Sequence, residues 1–254
     1  MEELCKDLHI EVCSGGYLEE IQHSLKSMTN YPRFPGAQPI SFEKKHLDTI
    51  VKEKYFVCEK TDGIRLLMYT RYNALKKRRE SIFLDRKLQA YYIPNLEMKN
   101  ADMSHCDNSL FDGELVIDKI PFKDYYKKHN RKIPKLENPP DFKVIHRYLF
   151  FDLIYLNNEF MNTRTFDVRL GKLKLILKAF HKYRQSIGIQ LCFTLELKMM
   201  LESYRLQEPL QHQDRKDETD VVDKLKHESD GLIFTKWTNS LTFGTDSHMY
   251  LLLI

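Results

Sequence analysis

The feature that most narrows the possible folds is Tyr55 to Tyr69, YFVCEKTDGIRLLMY. Two short apolar runs, Tyr55-Phe56-Val57-Cys58 and Ile64-Arg65-Leu66-Leu67-Met68-Tyr69, enclose a polar knot, Glu59-Lys60-Thr61-Asp62-Gly63. β-Branched, aromatic and aliphatic residues in runs this short predict strands. Asp62-Gly63 predicts a turn, because glycine tolerates positive φ and aspartate bonds its own backbone. Lys60 is therefore expected at the end of a buried strand, beside the turn. Desolvation there disfavours the ammonium and favours a nucleophilic amine. The alternative is a strand-end lysine whose head reaches water. The rest of the chain decides between them.

A chain of 254 residues with 42% hydrophobic and 30% charged content can bury a sizeable core as a soluble globular domain. Its net charge of +4 suits phosphate ligands but not a protein that coats nucleic acid. The five cysteines, Cys5, Cys13, Cys58, Cys106 and Cys192, have no metal-ligand spacing, which predicts a reducing compartment and no structural zinc. The start, MEELCKDLHIEV, lacks the apolar core of a signal peptide. No apolar run approaches the roughly 20 residues of a membrane span.

Leu18, Ile21, Leu25 and Met28 fall at helical spacing within Tyr17 to Met28. Tyr31 to Pro39 is too rich in Pro and Gly for regular structure. Ser41 is a candidate N-cap for a helix from Phe42 to about Lys52, with Leu47 and Ile50 on its inner face. Asn73 to Glu80 is expected as a polar loop carrying Lys76-Lys77-Arg78-Arg79. Ser81 to Asp85 and Tyr91 to Ile93 are expected as strands. Leu110 to Asp118 alternates around Asp112-Gly113 and predicts a hairpin, with Asp62 and Asp112 serving turns. Pro121 to Pro140 is expected as a polar connection, and the basic run Lys123 to Lys135 as solvated loop before RNA contact. Arg147 to Asn157 predicts a central strand enclosing one acid, Asp152. Thr165 to Arg184 is the best helix, its stripe formed by Leu170, Leu173, Ile176, Leu177 and Phe180, with Asp167 as candidate cap. A strand at Leu191 to Leu195, a helical pattern through Tyr204, a polar stretch from Gln207 to His227 and a strand at Gly231 to Thr235 follow. One domain over residues 1–254 is expected, of α/β (α+β) class with mixed, mostly antiparallel sheets.

Three units recur with acids or bases at their tips: Lys60-Thr-Asp-Gly63, Phe111-Asp-Gly-Glu-Leu115 and Ser229-Asp-Gly-Leu-Ile233. Leu84-Asp-Arg86 and Tyr148-Leu-Phe-Phe-Asp152 lie between them. In this order the chain resembles the covalent nucleotidyltransferases, the superfamily of RNA capping enzymes and ATP- or NAD-dependent ligases. Within it, Phe34-Pro-Gly-Ala-Gln-Pro39, Glu59-Lys-Thr-Asp-Gly63 and Gly244-Thr-Asp246 resemble the fungal kind of messenger RNA guanylyltransferase. The resemblance runs from about Tyr31 to Ser247. It implies two mostly antiparallel sheets flanked by helices, with a nucleotide cleft between them.

It also implies roles. Lys60 would attack the α-phosphate of GTP and hold GMP as a phosphoramidate. Nearby cations such as Arg65 and Lys198 would favour its neutral form. Glu59, Arg65 and Arg86 would contact the nucleotide, the arginines gripping sugar and phosphate oxygens. Glu114 would read the ribose hydroxyls. Phe151, beside Asp152, would stack on the purine, with Phe150 as its rival because alternate strand residues face opposite sides. Lys198 would bind phosphate or, alternatively, decorate a helix surface. Asp230, with Glu114, would hold Mg²⁺ or Mn²⁺. The acceptor would be the 5′-diphosphate end of RNA. Partners would be the phosphorylated tail of RNA polymerase II and a separate RNA 5′-triphosphatase subunit, in the nucleus, with no membrane.

The family continues past Gly-Thr-Asp with Leu-Leu-Lys-Trp-Lys-Pro and an OB-fold domain. Here the sequence reads Gly244-Thr-Asp-Ser-His-Met-Tyr-Leu-Leu-Leu-Ile254. Without those lysines this chain alone is expected to form lysyl-GMP very slowly or not at all, since phosphoryl transfer rests on positioning and charge neutralisation. Two other readings remain: an ATP-dependent polynucleotide ligase, and a non-catalytic module that keeps the fold and binds nucleotide or a partner.

Overall fold

The two runs that flank Lys60 are strands, but they belong to different sheets. The computed structural model describes residues 2–128, 132–136, 138–188, 190–203 and 229–253. In chain order its first elements are α1 (Glu2–Leu8), β1 (Glu11–Val12), α2 (Gly15–Thr29), β2 (Ala37–Ser41) and α3 (Leu47–Lys52). Then come β3 (Tyr55–Thr61), β4 (Ile64–Asn73), β5 (Arg78–Leu84), β6 (Ala90–Ile93), β7 (Ser109–Pro121) and α4 (Phe122–Lys128). The rest are β8 (Phe142–Leu156), β9 (Glu159–Phe160), α5 (Phe166–Ile187), β10 (Phe193–Leu197), β11 (Leu201–Glu202), β12 (Ser229–Lys236) and β13 (Gly244–Leu253). An eight-stranded sheet runs β1-β6-β5-β4-β7-β8-β10, with β9 on β8, and a five-stranded sheet runs β11-β3-β12-β13-β2. Only β10 with β8 and β13 with β2 pair in parallel among the described strands. The Asp62-Gly63 turn thus carries the chain from the smaller sheet to the larger, instead of closing a hairpin. The expected class, two mostly antiparallel sheets with flanking helices, is the one observed.

The larger sheet is covered on both faces, which is why its strands carry continuous apolar runs such as Leu66-Leu67-Met68-Tyr69. Leu66, Met68, Phe83, Phe111 and Phe150 pack on Leu173, Ile176, Leu177 and Phe180 of α5, and on Leu4 and Leu8 of α1. Leu67, Tyr69, Ile82 and Leu84 pack on Ile21 and Leu25 of α2. Burying each such side chain stabilises the fold by roughly 1.5–3 kcal/mol. In the smaller sheet, Tyr55, Val57, Phe234 and Tyr250 bury one face with Ile40, Phe42 and Ile50.

Several local expectations change. Asp112-Gly113 is not a turn: it lies inside β7, which runs without a break to Pro121. A strand accepts this pair because a Cβ at Gly113 would sit 2.5 Å from the Tyr148 ring, and because the Asp112 carboxylate has an arginine partner. Ala37-Gln38-Pro39 is strand, at the sheet edge where proline is tolerated. Ser41 ends that strand, so Glu43 caps the next turn through a reciprocal bond with His46. Leu47 is 52% exposed and does not face inward. Thr165, not Asp167, is the N-cap of α5, which extends to Ile187 before Gly188 turns at φ 68°. Pro121 to Pro140 contains α4. Leu197 to Glu202 is strand and connection, not helix. Gln207 to His227 lies outside the described residues.

The basic cluster Lys76 to Arg79 is only partly a loop, since β5 begins at Arg78. It closes on Glu80, whose side chain is fully buried. Glu80 accepts from Arg71 Nε at 3.2 Å, Arg71 Nη2 at 3.1 Å, Asn73 Nδ2 at 3.0 Å and Arg78 Nε at 3.3 Å. Lys76 adds an ion pair at 3.4 Å, and Arg79 pairs with Asp107 at 3.3 Å.

Candidate active site

Alternate residues of a strand share a face, so Leu67 and Tyr69, buried against α2, lie on the same face of β4 as Arg65. On β7 the same face carries Leu110, then Asp112, then Glu114. Toward the start of β4 this apolar face therefore becomes ionic, at the point where α2 no longer covers it. The smaller sheet faces it with Cys58 and Lys60 of β3 and Ile233 and Thr235 of β12. Between the sheets is a cavity of about 680 Å³, closed further by Phe166, Lys198 and Met249.

Two irregularities set the walls. Ser229 pairs with Thr61 and Leu232 with Glu59, so β12 has one extra residue opposite Lys60, a bulge formed by Asp230-Gly231. A bulge bends the strand and re-aims side chains, and occurs often beside active sites. Gly231 allows it, because a Cβ there would collide with the Leu252 carbonyl of β13. On β8, Asp152 pairs with Asp112 and Phe150 with Gly113, leaving Phe151 as the extra residue. Phe150 keeps its inward position, fully buried against Phe111 at 5.7 Å and Tyr148 at 4.7 Å. Phe151 is released into the cavity next to Asp152.

The charges there form two linked pairs. Arg65 grips Asp112 with both arms, Nε to Oδ1 at 3.0 Å and Nη2 to Oδ2 at 2.6 Å. Its guanidinium also lies 5.4 Å from the Phe34 ring and 5.3 Å from the Phe151 ring. Burial pushes the Asp112 carboxyl above the usual carboxylate range, and Arg65 opposes that rise. Lys198 follows β10 and donates its backbone N–H to the Phe150 carbonyl at 2.7 Å. Its Nζ donates to Thr61 Oγ1 at 2.9 Å and to Glu114 Oε2 at 3.0 Å, while the Thr61 hydroxyl itself donates to Glu114. A buried lysine thus joins the strand of Lys60 to the strand of Glu114.

Of the residues singled out in the sequence, Lys60, Arg65, Arg86, Glu114, Phe151 and Lys198 line the one cavity. Glu59 does not: it sits on the other face of β3, with Tyr55 and Val57, and is buried there. Asp230 stands in the bulge opposite Lys60. Two residues were missed. Asp112 looked like a turn acid, yet its pairing with Glu114 at alternate positions was a usable sign that both face one way. Arg169, 1% exposed, binds both Asp152 oxygens at 2.7 and 2.9 Å and the carbonyls of Arg164 and Asn239 at 2.8 and 2.9 Å. Its signal was its place inside the apolar stripe of α5, three residues after Phe166.

Among the described residues, no three His, Cys, Asp or Glu side chains are grouped so that they could hold a metal ion. Mg²⁺ needs only one or two carboxylates, with phosphate oxygens and water completing its shell. Of the acids that line the cleft, Asp112 and Asp152 are each engaged by an arginine and Asp85 by its own loop, which fits a cation held by few protein ligands.

The family model for the mRNA capping enzyme catalytic domain matches residues 9–133 and 136–252. The chain is 34% identical over 227 residues to the mRNA-capping enzyme subunit alpha of Neurospora crassa, covering 85% of this chain and 50% of that protein. To its Schizosaccharomyces pombe counterpart it is 33% identical over 231 residues, covering 87% and 50%. The chain thus spans about half the length of these relatives. The fold is also similar to the ATP-dependent DNA ligase of bacteriophage T7 in complex with ATP, with TM-score 0.53, 13% identity, and coverage of 86% of this chain and 68% of that one. At that identity the likeness is one of fold alone.

Proposed function

The chain belongs to the mRNA capping enzyme catalytic-domain family, and from that premise we propose that it is the guanylyltransferase unit that moves GMP from GTP to the 5′-diphosphate end of RNA. The observation that carries this reading is the shared cavity: Lys60 at the end of β3 lines it together with Arg65, Glu114, Phe151 and Lys198. In the first step the Lys60 amine attacks the α-phosphorus of GTP. A P–N bond forms, the bond to the bridging oxygen breaks, pyrophosphate leaves, and the amine gives up its proton. In the second step a terminal oxygen of the RNA diphosphate attacks the same phosphorus, and the P–N bond breaks to restore the amine. Covalent catalysis of this kind splits one difficult transfer into two easier ones.

Phe151 offers a ring face to the guanine. Glu114 accepts from the ribose hydroxyls, steadied by Thr61 and Lys198. Arg65, held in place by Asp112, keeps part of its guanidinium for the nucleotide, and Arg86 faces the phosphates. Lys198 is positioned to pass from Glu114 to a phosphate when the nucleotide enters. Mg²⁺ or Mn²⁺, held by Asp230, Glu114 and phosphate oxygens, would neutralise charge on the departing pyrophosphate. The relatives are named as alpha subunits, which supports a partner subunit; the proposal makes that partner a separate RNA 5′-triphosphatase and sets the work beside the phosphorylated polymerase tail in the nucleus.

Incubation with GTP labelled at the α-phosphate, with Mg²⁺, tests the reading. A slow, acid-labile covalent label, building up over hours and absent in Lys60→Ala, is the expected result. Label taken from ATP in preference to GTP would move the assignment to a ligase. No covalent label from either nucleotide, over hours at high protein concentration, would overturn it.

A further inference from the structure

Next to the cleft is a second, smaller cavity of about 400 Å³. Tyr31, Arg33, Phe34, Arg86 and Lys87 form half of its wall. Gln38, Arg86 and Lys87 line both cavities, so the two are continuous along one edge. Its volume falls at the small end of ligand pockets, roughly 300–1,000 Å³, and suits one nucleotide.

Its chemistry is one-signed. Arg33, Arg86 and Lys87 are exposed, and among the described residues none of them is paired with an acid. The lining contains no Asp or Glu. The adjacent acid, Asp85, is turned into its own loop: it accepts the N–H groups of Lys87 and Gln89 at 2.8 and 2.9 Å and the Tyr91 hydroxyl at 3.3 Å. This contrasts with Lys76, Arg78 and Arg79, which are all neutralised by Glu80 and Asp107. The aromatic residues are braced, Tyr31 against Phe243 at 5.2 Å and Phe34 against the Arg65 guanidinium at 5.4 Å. Unpaired cations interleaved with rigid rings are what single-stranded nucleic acid binds: phosphates to the cations, bases to the rings.

We propose that this second cavity receives the first nucleotide of the acceptor RNA, with Arg33 and Lys87 on its phosphates and Tyr31 and Phe34 beside its base. The proposal rests on the guanylyltransferase reading for the identity of the acceptor, but the site stands on its own geometry. The shared edge at Arg86 and Lys87 lets the 5′-diphosphate of that first nucleotide reach the cleft while its base and its 3′-phosphate stay in the second cavity.

The test is direct binding, by fluorescence anisotropy, of a short 5′-diphosphate oligoribonucleotide labelled at its 3′ end. Arg33→Glu should raise the Kd about tenfold or more, the loss of a charge-assisted contact plus a new repulsion. Arg33→Lys should stay near the parent protein. Arg33→Ala should make the slope of log K against log salt shallower by about 0.7, the value for one released counterion on a single strand. GTP binding should not change in any of them. RNA affinity indifferent to all three Arg33 substitutions would overturn the proposal. So would a phosphopeptide that needs Arg33 for binding while the RNA does not. If Lys60 takes no label but RNA binding follows Arg33, the proposed reaction falls and this site stands. If Lys60 is labelled and RNA ignores Arg33, the site falls and the reaction stands.

Discussion

The two ends of β4 carry one arginine each, and both arginines meet a buried carboxylate. At the far end Arg71 meets Glu80; at the near end Arg65 meets Asp112. The pairs differ in saturation. Glu80 is enclosed by donors from Arg71, Asn73, Arg78 and Lys76, and the cluster binds α2 to the sheet through Arg71 and Glu20 at 2.9 Å. Arg65 and Asp112 satisfy each other but open onto a cavity walled by further cations and an aromatic ring. Basic clusters of equal prominence in sequence thus serve different ends. One is structural because its charges are used up; the other is a site because they are not.

The sharpest attempt to break that contrast is Glu80→Ala. It leaves buried cations without a partner and should cost about 3–5 kcal/mol in denaturant unfolding. The GMP label per folded molecule should be unchanged. Asp112→Asn should do the reverse: labelling about a hundredfold slower, because a misplaced arginine misplaces the nucleotide, with a stability change below about 1.5 kcal/mol. If Asp112→Asn unfolds the protein as severely as Glu80→Ala, the distinction fails. Phe151→Leu should weaken GTP binding about tenfold in equilibrium dialysis, at the low end of base-stacking energies, and Phe150→Leu should lower stability instead. A smaller effect concerns pH. Burial alone would raise the Glu80 carboxyl, but bonds from Asn73 and Arg71 outweigh it and hold it below the usual range. Its contribution is therefore complete above the ordinary glutamate pKa of about 4.3 and is lost as pH falls toward the folded value. Glu80→Gln should flatten that acid limb of the stability curve, whatever the change at neutral pH.

Most of the cleft was legible because its residues stand in short motifs whose order is informative: Lys60, Arg65, Arg86, Glu114, Phe151 and Lys198 all reach one cavity. What could not be read is where pairing departs from period two. A bulge adds one residue without altering composition, so nothing in Phe150-Phe151-Asp152 reveals that Phe151 is the extra one. The hairpin expected at Asp112-Gly113 failed for a related reason. Turn chemistry is local, whereas the Tyr148 ring and the Arg65 guanidinium that make a strand possible there come from other parts of the chain. The passage of Asp62-Gly63 between sheets was hidden in the same way, since a turn pair does not say which neighbour each strand will choose.

Arg169 leaves one more mark on how the molecule can move. Its guanidinium ties β8 to the start of α5 and, through the Asn239 carbonyl, to the connection that enters β13. Asn239 is itself clamped to Asp246 of that strand at 2.6 Å. The corner where these meet is fastened to both sheets at once. Parting the sheets there would break these charged bonds, so an opening of the cleft is resisted most beside Asp152.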